Sequence, residues 1–315
     1  MNSLVSVVIP TYNRPKLLKR ALNSVHKQTY SNIEVIVVDD NSSTDIRSVV
    51  KNTNIGDIVY KKHKKNRGGG AARNTGIEAA SGEYIAFLDS DDTWKPTKIE
   101  QQVENLEKMA AEFAAIYCLR YHRQGEMTCL REVENDIKTG DIQADLLSGW
   151  MQTVTSELLI DTDCLKELNG FDTNLESFQE YDLLVRLSED YKIACVRDHL
   201  IVKHHGDFDR ISENPSKRLN GLNTFISKHR EKIEENIGIK EFKRTRMPKI
   251  YQLYAIRSCV ERNILSSFKY ILKWRNSIGG LDIRHYVLIL LVIINGENGY
   301  KLAKDIWYLF QCWDH

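Results

Sequence analysis

The sequence predicts an α/β protein built on an open, mostly parallel sheet flanked by helices. Three observations carry this reading. Short β-rich runs alternate with amphipathic helical runs as far as Tyr121. The β-rich runs are nearly all apolar, as strands buried on both faces tend to be. Three of them end in polar clusters: Pro10-Thr11-Tyr12-Asn13, Asp39-Asp40-Asn41-Ser42 and Asp89-Ser90-Asp91-Asp92. Open sheets of this kind bind ligands beyond the carboxyl ends of their strands.

The elements follow in order. Residues 4–9 read as the first strand. Pro15 opens a helix whose Leu17, Leu18, Ala21, Leu22 and Val25 share one face. Residues 33–38 form a second strand and 57–61 a short third. Gly68, Gly69 and Gly70 mark a loop before a helix over 71–80. Residues 84–88 make another buried strand. The helix after Pro96 carries Val103, Leu106, Ala110 and Phe113 at helical spacing, and 115–121 reads as a strand. From about residue 215 the pattern turns helical, with candidates at 222–235, 248–262, 264–274, 285–294 and 300–310.

The 315 residues exceed what one core usually organises, so a catalytic domain plus a smaller appendage is expected. The 44 basic and 43 acidic side chains leave a net charge of +1, which offers nucleic acid no general attraction. Cys118, Cys129, Cys164, Cys195, Cys259 and Cys312 are scattered without a CxxC pair, which argues against a disulfide framework or a zinc site. Strand pattern begins at Leu4 without a charged and apolar leader, so the expectation is a cytoplasmic protein.

The acidic cluster carries the strongest chemical signal. Asp89 and Asp91 flank a small residue at a strand end and can converge on Mg²⁺ or Mn²⁺, which favour oxygen ligands and bridge to phosphates. The competing reading is a solvated acidic turn capping the next helix. Asp40 suits a hydrogen bond to a base or ribose, or else it or Ser42 caps a helix near Ser43. Tyr12 offers a face for stacking on a base, or packs as a half-buried tyrosine. Arg73 follows three glycines in the first turn of a helix, where phosphate is favoured, though a surface ion pair is the commoner fate of arginine.

Four segments in register resemble the family 2 glycosyltransferases. They are residues 7–14 (VVIPTYNR), 37–43 (VVDDNSS), 72–76 (ARNTG) and 87–92 (FLDSDD). Gly170-Phe171-Asp172 and residues 180–187 (EYDLLVRL) resemble the family's acceptor-side segment, so the resemblance runs to about residue 210. It implies the GT-A fold over 1–212, with a nucleotide-binding half at 1–100 and an acceptor-side half at 101–212, followed by a helical region at 213–315. It implies an enzyme that inverts the anomeric carbon of a nucleotide-diphosphate sugar, with UDP-sugars the commonest donors. Pro10, Tyr12 and Asp40 then line the base and ribose pocket, joined by Thr11, Asn13, Arg73 and Ser90. Asp89 faces the ribose, Asp91 holds the metal, and His205 of His204-His205-Gly206 lies near the metal or diphosphate. The family places an Asp at the general-base position. Here that position is Glu180, which leaves Asp182 as the alternative; N-terminal helix charge is the structural reading for both.

Other classes fit less well. A nucleotidyltransferase needs a Gly-rich, Arg-containing loop after the first strand, and a dinucleotide oxidoreductase needs G-x-G-x-x-G there. Pro10-Thr11-Tyr12-Asn13 is neither. The unusual Glu180 keeps open a nucleotide-sugar binding module without turnover. The apolar run 285–294 falls short of the roughly 20 residues that span a bilayer. It is read as a packed helix, or as part of an interfacial contact in which Lys269, Lys273, Arg275, Arg284, Lys301 and Lys304 surround Trp274, Tyr286, Tyr300, Trp307 and Tyr308. A lipid-linked or polysaccharide acceptor, met at the cytoplasmic face of a membrane, suits such a tail.

Overall fold

A computed structural model describes residues 3–53, 55–56, 58–124, 127–132, 137–148, 153–205 and 214–280, together with 289, 290 and 293. Its first strands are β1 (Val5–Thr11), β2 (Ile33–Asp39), β3 (Ile58–Lys62) and β4 (Tyr84–Phe87). Helices α1 (Pro15–His26), α2 (Ile46–Lys51) and α3 (Gly69–Ala79) alternate with them. β5 (Asp92–Trp94), α4 (Lys98–Glu107), β6 (Phe113–Gln124) and β7 (Met127–Glu132) follow. Next come α5 (Gln143–Ser148), the 3₁₀ turn Thr155–Glu157, β8 (Leu159–Asp161), α6 (Thr162–Glu167), α7 (Gln179–Leu187) and β9 (Lys192–His205). The last described helices are α8 (Pro215–Lys228), α9 (Arg230–Asn236), α10 (Ile239–Val260) and α11 (Ile264–Ser277).

One sheet runs in the order β3-β2-β1-β4-β8-β6-β9-β5, with β7 paired to β6. The β1–β2, β1–β4, β2–β3 and β6–β9 ladders are parallel. β8 runs antiparallel between β4 and β6, and β5 runs antiparallel to β9. This is the mixed, mostly parallel α/β sheet that the strand–helix alternation predicts. The carboxyl ends of β1, β2 and β4 therefore lie side by side.

The alternation of strand side chains divides the core in two. Val5, Val7 and Ile9 pack with Leu18, Leu22, Ile99 and Val103 from α1 and α4. Val8, Ile36 and Phe87 pack on the other side, with Ile77, Leu184, Phe225 and Phe242. The C-terminal helices thus share a core with the sheet. Gly76 lets α3 lie close on β1, because a Cβ there would sit 2.2 Å from the Val8 Cγ1 atom.

Several boundaries differ from the sequence expectation. α3 begins at Gly69, so two of the three glycines are helical rather than looped. Gly70 lies close to α7: a Cβ there would meet the end of the Gln179 side chain at 2.8 Å and push it aside. Phe113 begins β6 and is not in α4, which ends at Glu107. His229 separates α8 from α9 where one helix was expected. α10 starts nine residues before Pro248 and passes through it, with Phe242, Ile250 and Leu253 buried on either side. The expected helices at 285–294 and 300–310 lie outside the described residues but for 289, 290 and 293. No helix among the described residues is long and apolar enough to cross a membrane.

Candidate active site

The loops after β1 and β2 are tied together by short polar side chains. Asn13 and Asn41 adopt positive φ, at 53° and 68°, a region Asn tolerates better than other non-glycine residues. The Asn13 side-chain Oδ1 accepts from the Ser43 backbone N–H at 2.8 Å, and the Asn13 backbone N–H donates to the Ser42 hydroxyl at 2.8 Å. Thr11 is buried and Pro10 half-buried, while Tyr12 stays 46% exposed with its ring outside this clasp.

Asp39 and Asp40 are both buried, with different partners. Asp39 accepts from Ser42 N–H and from the Tyr60 hydroxyl, each at 2.8 Å. Burial pushes its carboxyl up, but the bonds from Ser42 and Tyr60 and the Lys62 charge outweigh this and hold it below the usual range. Asp40 Oδ1 meets His63 Nδ1 at 2.7 Å and Arg67 N–H at 2.8 Å, and Oδ2 accepts from Gly68 N–H at 2.8 Å. Asp40 therefore fixes the loop that leads into α3. The cap of α2 is Asp45, not Asp40 or Ser42.

Past β4 the chain delivers three carboxylates to one place. Ligand oxygens of Asp89, Asp91 and Asp92 lie within 4.8 Å of one another. Asp89 accepts from Arg73 Nη2 at 2.6 Å and from the Thr155 hydroxyl at 3.2 Å, and its N–H donates to the Ser156 hydroxyl at 3.1 Å. Burial opposes its charge, yet Arg73, Lys203 and Thr155 leave the carboxyl below its ordinary value. Asp91 faces Arg14 Nη1 at 3.3 Å, and its backbone carbonyl accepts from Arg20 Nη2 at 2.6 Å. Asp92 accepts from the Ser156 hydroxyl at 2.9 Å, and Ser90 is buried between its neighbours. Three convergent carboxylates suit a hard divalent cation.

Arg73 spans the site from α3. Besides Asp89 it reaches Gln179 Oε1 at 3.2 Å and Thr155 at 3.3 Å, and its guanidinium lies 5.4 Å from the Phe171 ring centre. Thr155, Ser156 and Gln179 were not singled out from the sequence. The hydroxyl pair ahead of the apolar run 158–160 is the signal that could have found the first two.

His205 does not join the carboxylates. Successive residues of β9 face opposite sides. His204 Nε2 therefore meets the Thr93 hydroxyl at 2.9 Å, beside Asp92, while His205 stacks on His122 with Nε2 2.6 Å from its Nδ1.

Glu180 and Asp182 enter opposite environments. Glu180, in the first turn of α7, is half-buried and makes no hydrogen bond or ion pair among the described residues. Asp182 is fully buried and accepts from Arg186 Nε at 2.9 Å, Lys228 Nζ at 2.7 Å and His229 Nε2 at 2.9 Å. Burial raises its carboxyl, but these donors win and bring it to about 2. Arg186 also donates to the carbonyls of Leu168 and Gly170, at 2.8 and 2.7 Å. Asp182 thus joins α7, α8 and the turn after α6.

A mixed, mostly parallel sheet with a carboxylate cluster at its strand ends fits a glycosyltransferase of the GT-A fold. The sequence model of the glycosyl transferase family 2 matches residues 6–147, and that part of the chain is a glycosyltransferase domain of that family. WcaA of Escherichia coli K12, provisionally named a colanic acid biosynthesis glycosyl transferase, is 29% identical over 97% of this chain and 98% of its own length. An uncharacterised glycosyltransferase of Rickettsia bellii is 32% identical over 69% of this chain, which spans only 31% of that relative. WfgD of Escherichia coli, named a UDP-Glc:α-D-GlcNAc-diphosphoundecaprenol β-1,3-glucosyltransferase, is 41% identical over 33% of this chain and 42% of its own length. Two solved structures share the fold. S. aureus TarS 1-349 with UDP-GlcNAc superposes with a TM-score of 0.55 at 16% identity, covering 98% of this chain and 92% of that one. The mannosyltransferase PcManGT of Pyrobaculum calidifontis, with GDP-Man and Mn²⁺, gives a TM-score of 0.55 at 16% identity, covering 98% and 86%.

Asp182→Asn is expected to lower unfolding free energy at neutral pH by about 3 kcal/mol, the scale for breaking a buried ion pair. A depressed carboxylate stabilises above its unfolded pKa of about 3.9 and loses that contribution as pH falls towards about 2. Denaturant unfolding of both proteins should therefore show their gap narrowing between pH 6 and pH 3. A gap that is absent at pH 6, or constant with pH, contradicts this role.

Proposed function

We propose that this enzyme transfers a sugar, with inversion, from a nucleotide-diphosphate donor to a hydroxyl of a lipid-linked glycan or polysaccharide acceptor. One observation carries the reading: Asp89, Asp91 and Asp92 converge at the strand ends while Glu180 is left without a partner among the described residues. UDP is the proposed nucleotide carrier. The names of WfgD and TarS, each attached to a UDP-sugar, favour it, and that of WfgD favours an acceptor on a lipid diphosphate.

Tyr12 supplies a stacking face for the base, with Pro10, Thr11, Asn13 and Ser90 lining the pocket. Asp40 contacts the base or ribose through Oδ2, which accepts only from Gly68 N–H among the described residues and has a second acceptor site. Asp89, aligned by Arg73 and Thr155, faces the ribose. Asp91 would hold a Mg²⁺ or Mn²⁺ ion, with Asp89 and Asp92 beside it. That ion would supply positive charge against the charge that grows on the departing diphosphate.

The displacement is in line. The acceptor oxygen forms its bond to the anomeric carbon as the bond from that carbon to the diphosphate oxygen breaks. The bonding electrons leave with the diphosphate, and the hydroxyl proton passes to the Glu180 carboxylate. General-base help of this kind contributes about 10²–10⁴-fold. Asp182 is a poor base because its charge is already held by Arg186, Lys228 and His229.

A peripheral membrane contact is the second part of the proposal. Leu265 and Phe268, 86% and 66% exposed, lie with Leu272 on one face of α11, next to Lys269 and Lys273. That pattern suits an interfacial helix on anionic lipid.

Glu180→Gln should lower kcat at least tenfold in single-turnover transfer, with donor affinity within twofold. Normal turnover by that variant beside a folded, inactive Asp182→Asn enzyme would reverse the assignment of the base. Asp91→Ala should abolish transfer and metal-dependent UDP binding while leaving the melting temperature nearly unchanged. Full activity of that variant, or of the parent enzyme in EDTA, removes the metal from the reading. Phe268→Glu should reduce co-sedimentation with anionic liposomes several-fold. Equal sedimentation of variant and parent means the α11 face meets no lipid.

A further inference from the structure

Two arginines of the C-terminal helices lie beside the candidate base and form no ion pair among the described residues. Arg218 is on α8 and Arg246 on α10. Their guanidinium carbons are 5.6 and 5.9 Å from the centre of the Phe178 ring, and Phe178 is the residue that leads into α7. Arg246 also lies 4.6 Å from the Tyr181 ring centre and 5.7 Å from that of Phe242. It is only 8% exposed.

The polar atoms of the pair are poorly answered. Arg246 Nε and Nη2 are buried without a hydrogen-bond partner, as is Arg218 Nε. Arg246 Nη1 reaches the Tyr181 hydroxyl at 3.5 Å, the limit of such a bond. Neither arginine makes an ion pair among the described residues. Other inward-facing arginines do: Arg120 with Glu157, Arg73 with Asp89 and Arg186 with Asp182. Burial weakens the Arg218 charge, and Arg246 repels it, while Glu180 acts on it through space without pairing.

Two like charges withdrawn from water are costly unless an opposite charge meets them. Aromatic faces meet them only in part, through ring quadrupoles. A guanidinium fork matches the oxygens of phosphate, which it binds through two parallel hydrogen bonds. The place of the pair says whose anion this is. The donor diphosphate belongs with Asp89, Asp91 and Asp92, at the ends of β4 and β5. Arg218 and Arg246 lie instead around Phe178 and Tyr181, the residues flanking Gln179 and Glu180, where the acceptor hydroxyl must come.

We propose that Arg218 and Arg246 form an acceptor-side subsite for a phosphate or diphosphate group carried by the acceptor. Assigning the anion to the acceptor rests on Glu180 as the base of a glycosyltransferase. Binding of the anion places the acceptor hydroxyl against Glu180. It also supplies an anionic partner, which neither arginine has among the described residues.

The test is a binding measurement on the full chain, independent of turnover. Inorganic pyrophosphate and farnesyl diphosphate are titrated calorimetrically in EDTA, which removes the cation from the donor side. Binding is expected to persist in EDTA and to weaken at least tenfold in Arg218→Met and in Arg246→Lys, which keeps the charge and loses the fork. UDP affinity in Mg²⁺ should stay within twofold in Arg218→Met. Tighter binding of farnesyl diphosphate than of pyrophosphate assigns the subsite to a lipid-linked acceptor, and equal binding to a phosphate on a water-soluble one. The proposal is overturned if neither probe binds in EDTA, if Arg218→Met binds both as the parent does, or if UDP affinity falls in parallel. Arg218 is half-exposed, so its variant decides the matter even if the Arg246 variant unfolds. Loss of transfer in the parent enzyme would count against the activity, not against this site.

Discussion

The ion pair between Arg73 and Asp89 is the constraint on which the site depends. It joins α3 to the end of β4, and reaches Thr155 ahead of β8 and Gln179 at the start of α7. These four points come from distant parts of the chain. A buried guanidinium can satisfy them together because its donors lie in one rigid plane. Lysine would bring the charge but not the geometry. Close approach is set by Gly70, where any side chain would press on Gln179. The end of β4 and the start of α7 are therefore held in one frame, and a shift in either is felt by the other.

Much of the architecture is legible in the sequence because apolar runs of two periods, strand and helix, alternate without ambiguity up to β6. What misled was local. Three glycines look like a loop, yet Gly69 and Gly70 form the first turn of α3, where Gly70 lies against the Gln179 side chain of α7. Phe113 keeps helical spacing with Leu106 and Ala110, but it starts the strand that pairs with β9. Pro248 reads as a helix start, whereas burial of Phe242, Ile250 and Leu253 carries α10 through it. In each case tertiary packing overrides a local signal.

The site was legible to the extent that its residues sit in contiguous motifs. Asp89, Asp91 and Arg73 could be named because they follow strands or open helices. Thr155, Ser156 and Gln179 could not, since their importance lies only in what they touch after folding. His204 and His205 show a further limit. Adjacent residues on a strand face opposite ways, so a shift of one residue in alignment moves the chosen side chain to the other face. Arg218 and Arg246 carry no local pattern at all. Only the Phe178 ring beside both, and the lack of an ion pair among the described residues, make them conspicuous.

Glu180 and Asp182 show how one helix turn can divide two chemically similar groups. Both are carboxylates in the first turn of α7, where helix dipole charge favours each alike. Two positions apart, they point to different sides. Asp182 turns inward and meets two cations and the His229 ring, which lock its charge and hold α7 to α8. Glu180 is half-buried and accepts no hydrogen bond among the described residues, which is what favours it as the proposed base. A base must be able to take a proton at the moment of bond formation, and a carboxylate pinned near a pKa of 2 gives that proton little driving force. The structural anchoring of Asp182 and the availability of Glu180 are thus two consequences of the same helix orientation. Any change that rotates α7 would disturb both.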